Sequence, residues 1–197
     1  FHWNTDETTG ESDFKSLGYI DINYLVSHIE SLEIITQLFS GKINDIKKKN
    51  QEMPGKTLVV SIGMECNVIG ARLSVLFPEF DFSYIPRKRK AGDHNDIEQK
   101  IGLEIDRYDT IILIKDVIVK TSKGETEEII RDLFYGKNIH LISLFYCGSP
   151  DKKKDILKGI DNAQFHSLID DIKISICGMS ESNCPIIKNK LQTIYRC

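Results

Sequence analysis

No apolar run in this sequence exceeds the length of a β-strand. That excludes a membrane-spanning helix, which needs about 20 mostly apolar residues. An excess of one charge sign is also missing. The formal net charge is −3, so nothing global argues for nucleic acid or for an anionic membrane as partner. Cysteine is present but not organised. Cys66, Cys147, Cys177, Cys184 and Cys197 are odd in number and widely spaced. That argues against a disulfide framework and for reduced thiols in a cytoplasm. The last three do not form pairs two to four residues apart, so no zinc set, and no other metal site, is read from them. There is no Gly-x4-Gly-Lys-Ser/Thr phosphate loop and no internal repeat. The chain begins at Phe1, with no Met and no signal-like stretch.

What is there alternates between two periods. Residues 24–49 repeat apolar positions at helical spacing: Leu25, Ile29, Leu32, Ile35, Leu38, Phe39, Ile43 and Ile46 fall on one stripe. Lys47, Lys48 and Lys49 suit the C-terminal end of that helix. Strands are expected at 57–62, 80–85, 98–105, 111–119, 139–146 and 165–168. Helices are expected at 68–77, 125–134 and 151–158. This order predicts an α/β domain with a mainly parallel central sheet flanked by helices, a long N-terminal helix and a C-terminal appendage. The boundaries read are 1–14 for a peripheral or disordered terminus, 15–174 for the domain and 175–197 for the appendage. Pro185, Ile186, Ile187, Leu191 and Ile194 give the appendage an apolar face for the domain or for a protein partner. His28 and His140 read as structural, and Cys66 as a small packing residue.

In such sheets ligands bind beyond the carboxyl ends of the strands. Three loops fall on that rim. One runs from Gly63 to Asn67. A second, Pro86-Arg87-Lys88-Arg89-Lys90-Ala91-Gly92-Asp93-His94-Asn95, is strongly basic. Most charge runs are solvated surface, but this one joins two strands at the rim. The third follows Ile111-Ile112-Leu113-Ile114-Lys115-Asp116, a run apolar enough for a strand buried on both faces. It passes through Thr121, Ser122 and Gly124 into a helix beginning near Thr126. Strand, polar loop and helix N-terminus together make an anion seat.

The third stretch resembles the ribose-phosphate signature of the type I phosphoribosyltransferases. In that family an apolar strand runs into two acidic residues and a Thr/Gly-rich loop. The resemblance implies that Asp116 binds the ribose hydroxyls of phosphoribosyl pyrophosphate. It implies that Thr121, Ser122, Gly124 and Thr126 hold the 5-phosphate. The basic loop resembles the closing loop of the orotate phosphoribosyltransferases. By position Arg87, Lys88, Lys90 and His94 inherit the catalytic role of neutralising the departing pyrophosphate. Gly63 and Asn67 would form the pyrophosphate loop. Ser16-Leu17-Gly18-Tyr19-Ile20-Asp21 is similar to the entry of the orotate enzymes. Magnesium would enter bound through the substrate, and a homodimer is expected.

This sequence departs from the pattern at three places. Lys115 stands where the first acid belongs, and its ammonium could meet a phosphate instead. Glu65 stands in a pyrophosphate loop that has neither the usual Lys nor the second Gly. Cys147-Gly148-Ser149-Pro150 replaces the Asp-Arg pair that would recognise the orotate carboxylate. The reading is a divergent phosphoribosyltransferase-like domain that transfers phosphoribosyl to a base other than orotate. The alternative is an inactive relative serving as a nucleotide sensor or protein-interaction module, as in bacterial defence systems.

Overall fold

The computed structural model describes residues 2–3, 14–16, 22–49, 55–85, 105–119, 125–147, 153–170 and 176–177. These fall into two units. One spans 1–21 with 173–197, the other 22–172. In the smaller unit β1 (His2–Trp3), β2 (Phe14–Ser16) and β8 (Ile176–Cys177) form an antiparallel sheet in the order β1-β2-β8. Its two ends of the chain are therefore strand partners, with Lys15 opposite Cys177.

The larger unit is built on β3 (Thr57–Ile62), β4 (Asp81–Ile85), β5 (Thr110–Val119), β6 (Asn138–Cys147) and β7 (Ala163–Ile169). All pair in parallel, in the order β4-β3-β5-β6-β7. The central strands are apolar on both faces because helices cover both. Leu58, Val59 and Val60 of β3 and Ile111, Leu113 and Ile114 of β5 are fully buried. The helices are α1 (Ile22–Ser27), α2 (Ile29–Lys49), α3 (Met64–Leu76) and α4 (Glu125–Leu133). On one face α3 packs on β3, β4 and β5, and α2 packs on α3, β6 and β7. On the other, Ile129, Ile130 and Phe134 of the α4 region join Leu58, Val60, Ile111, Leu113, Ile139 and Leu141 in one core.

Several sequence expectations change. The first helix is two helices. At the break Ser27 Oγ donates to the Tyr24 carbonyl (2.8 Å) and His28 Nδ1 lies 2.7 Å from the same oxygen. Side chains thus compete for the carbonyl that would carry the helix onward. Ile29 and Leu38, expected on the buried stripe, are exposed, while Leu32, Ile35, Phe39, Ile43 and Ile46 are buried. The expected helix at 151–158 is a set of turns at 153–160, closed by bonds from Ile156 to Lys153, Lys158 to Asp155 and Ile160 to Leu157. Leu157 sits there at φ 114, which no helix allows. Ile105, expected to end a strand, opens a 3₁₀ turn (Ile105–Arg107). The rest of that expected strand, 98–104, lies outside the described residues.

Candidate functional site

The strand order reverses direction at β3. The chain goes from β3 outward to β4, then returns to the opposite side of β3 as β5. A doubly wound sheet opens a crevice at such a switch point, beyond the carboxyl ends of the two strands. Gly63 follows β3 there, and Asp116 lies near the end of β5.

Gly63 makes the whole turn. Its φ of 92 and ψ of 156 are backbone values that residues with a Cβ rarely adopt. Its N–H donates to the Ile85 carbonyl (3.0 Å), tying the turn to the end of β4. The helix begins at once. Met64–Asn67, expected to be loop, form the first turn of α3. No side chain caps that end, so the first-turn N–H groups face the crevice side of the strand ends. Asn67 is exposed. Glu65 reaches back: its Oε2 is 3.5 Å from where a Cβ on Gly63 would sit. The carboxylate thus stands beside the Gly63 turn.

Cys66 joins the turn to β5. It is completely buried and lies close enough to Asp116 for that residue's charge to bear on its thiol. Burial first, then the charge of Asp116, push the thiol well above its ordinary value. It is a packing group and not a nucleophile at neutral pH. Behind it, Gly70 lets α3 lie directly on β3, since a Cβ there would stand 2.1 Å from Ser61 Oγ.

Along β5 alternate residues face opposite helices. Ile114 lies beneath Gly70 of α3, and Leu113 belongs to the core with Ile129 and Ile130. Further along, Ile118 and its partner Tyr146 pack in the same core as Leu113 and Leu141, so alternation breaks across Lys115 and Asp116, and the charges of both bear on Cys66 of α3. Both are half-buried. Thr126 is buried in the first turn of α4. The structure thus brings Gly63, Asn67, Asp116 and Thr126 to one rim. Thr121, Ser122 and Gly124 lie outside the described residues, as do Arg87, Lys88, Lys90 and His94. The basic segment leaves β4 at Ile85, which pairs with Ile62 just before Gly63.

Ser143 was not singled out from sequence. It pairs with Lys115 in the β5–β6 register, is fully buried, and its Oγ has no hydrogen-bond partner. The signal was a lone hydroxyl inside the apolar run of β6. Among the described residues no group of three or more His, Cys, Asp or Glu could hold a metal ion, and no helix is long and apolar enough to cross a membrane.

The sequence matches no protein-family model and no curated protein. The fold does have solved counterparts. Orotate phosphoribosyltransferase from Aeropyrum pernix aligns at 17% identity and a TM-score of 0.50, over 77% of this chain and 78% of that one. Adenine phosphoribosyltransferase from Rhodothermus marinus aligns at 16% identity and 0.50, over 80% and 93%. Adenine phosphoribosyltransferase from Trypanosoma brucei, solved with AMP, pyrophosphate and ribose-5-phosphate, aligns at 13% and 0.50, over 76% and 68%. With its parallel five-stranded sheet and flanking helices, this chain has the type I phosphoribosyltransferase fold.

Proposed function

We propose that the rim binds phosphoribosyl pyrophosphate and transfers its phosphoribosyl group to a base other than orotate. The observation that carries this reading is the proximity of Asp116 on β5 to the buried Cys66 of α3, whose thiol its charge raises. It sets the proposed ribose-binding strand beside the uncapped N-terminus of α3 at the switch point. In the reaction the C1–O bond to pyrophosphate breaks, pyrophosphate leaves with the electron pair, and a base nitrogen bonds C1 and loses its proton. Positive charge grows on the ribose and negative charge on the leaving group. Asp116 orients the ribose through its hydroxyls and lies near the developing positive charge. Thr126, with Thr121, Ser122 and Gly124, takes the 5-phosphate through N–H and hydroxyl donors. Gly63 and Asn67 place the start of α3 at the pyrophosphate. Arg87, Lys88, Lys90 and His94 supply cations as their loop closes. Magnesium, bound through pyrophosphate oxygens and water, would supply further neutralisation.

Calorimetric titration with phosphoribosyl pyrophosphate and magnesium tests the reading. Saturable binding is expected, weakened about tenfold or more in Asp116→Asn, because a charge-assisted acceptor is lost. No heat at millimolar ligand, or equal binding by the variant, would refute it. The position of Glu65 favours a second reading, a nucleotide-binding domain without turnover, since a carboxylate at the pyrophosphate seat opposes an accumulating anion. Saturable binding with no pyrophosphate released from any of a panel of purines and pyrimidines would select it. A homodimer belongs to the proposal, and sedimentation showing only monomer would remove it.

A further inference from the structure

A helix that covers a sheet buries one side and is normally polar on the other. α3 is not. Cys66, Ile69, Gly70 and Leu73 make its buried side. At 3.6 residues per turn, Met64, Val68, Ala71 and Val75 fall on the side directly opposite. All four are exposed, Met64 at 74%, Val68 at 44% and Val75 at 78%. Single exposed apolar residues need no explanation, but a stripe along the outer side of a helix marks a surface that something covers. Helices α1 and α2, which pack against α3, add exposed Tyr24, Ile34 and Leu38.

We propose that a second copy of this chain covers it, with the two α3 helices packed antiparallel about a two-fold axis. The stripe is self-complementary. Its steps of four, three and four residues are those of a helix–helix seam. A two-fold axis midway between Val68 and Ala71 sets the long Met64 opposite the shorter Val75, and Val68 opposite the small Ala71. The same operation sets Arg72 opposite Asn67 and Glu65 opposite Ser74. No like charges meet, and each charged residue beside the seam faces a polar partner. An isologous interface requires this symmetry, because residue i meets j and j meets i. An unrelated partner would not. From Met64 to Val75 the seam runs about 16 Å. The exposed residues of α1 and α2 extend it toward the roughly 800 Å² per copy of a standard interface. This gives a surface to the homodimer of the functional reading and rests on that part of it.

Sedimentation velocity of the full chain over a concentration series tests it. A dimer that dissociates on dilution is expected. Val68→Asp and Val75→Glu should each weaken it at least tenfold, because each puts a charge into an apolar seam. Both positions are exposed, so the variants keep the fold, which circular dichroism checks. The register is tested by charge pairing. Met64→Lys alone should weaken the dimer. Met64→Lys with Val75→Glu in one chain should dimerise more tightly than either single variant, because the new ammonium and carboxylate meet across the axis at both ends of the seam. A double variant no tighter than the singles would overturn the antiparallel pairing. A dimer that survives all the single variants would overturn the α3 surface and leave the homodimer standing. A monomer at every concentration would overturn both, whatever else then covers the stripe. A chain that dimerises through α3 but binds no phosphoribosyl pyrophosphate would sink the reading of the rim and support this one.

Discussion

Gly70 is fixed by a single atom. Ser61 Oγ occupies the place where its Cβ would be, so Gly70→Ala should destabilise the chain by about 1–3 kcal/mol through overpacking. Adding Ser61→Ala should recover much of that loss in urea unfolding. Equal instability of the single and double variants would show that the contact is not the cause. Glu65 makes the opposite kind of prediction. Its carboxylate lies against Gly63 in the proposed pyrophosphate seat. Glu65→Gln should tighten phosphoribosyl pyrophosphate by about two- to fivefold, as expected for a partly solvated charge. Unchanged or weaker binding would place the pyrophosphate elsewhere. Neither Gly70 nor Ser143 could be read from the sequence. Their roles depend on which atoms of another element lie opposite, and one-dimensional spacing does not carry that.

At the scale of elements, β6 and β7 hold a histidine pair. His140 and His166 stack with centroids 5.5 Å apart, and Nδ1 of one is 3.3 Å from Nε2 of the other. Burial lowers His140 below its ordinary value. Burial, then His140, Lys42, Lys49 and Lys153, lower His166 from 6.5 to about 4. Both rings are neutral in the folded state at neutral pH, while the unfolded chain takes up protons below 6.5. Their contribution to stability is therefore present above pH 6.5 and lost as pH falls toward 4. Urea midpoints should drop between pH 7 and pH 5, and His166→Gln should flatten that drop. A drop of the same size in the variant would assign it to other groups. His140 was read from sequence as structural, but its partner lies 26 residues away and only strand pairing brings the two together. Period alone located β3, β5, β6 and most of α2, because burial on one or two faces writes itself into spacing. It missed the break at His28 and the early start of α3. Both depend on local hydrogen bonding and on the backbone of a single glycine, and neither alters the apolar period.

Over the whole molecule, the α/β class and parallel sheet were legible because apolar runs alternate with helical stripes. The strand order β4-β3-β5-β6-β7 was not, although it is what makes the carboxyl ends of β3 and β5 a crevice. The rim was legible in part. Asp116, Gly63, Asn67 and Thr126 were named from the sequence and lie near the carboxyl ends of β3 and β5 or in the first turns of the helices that follow them. The central claim is that a phosphorylated ribose sits at this switch point. The most direct test is an NMR titration of the isotope-labelled chain with phosphoribosyl pyrophosphate and magnesium, following backbone amides. The account predicts that the largest shifts fall on Gly63–Asn67, Asp116 and Thr126 together. Shifts confined to other surfaces of the sheet, or none at millimolar ligand, would contradict it.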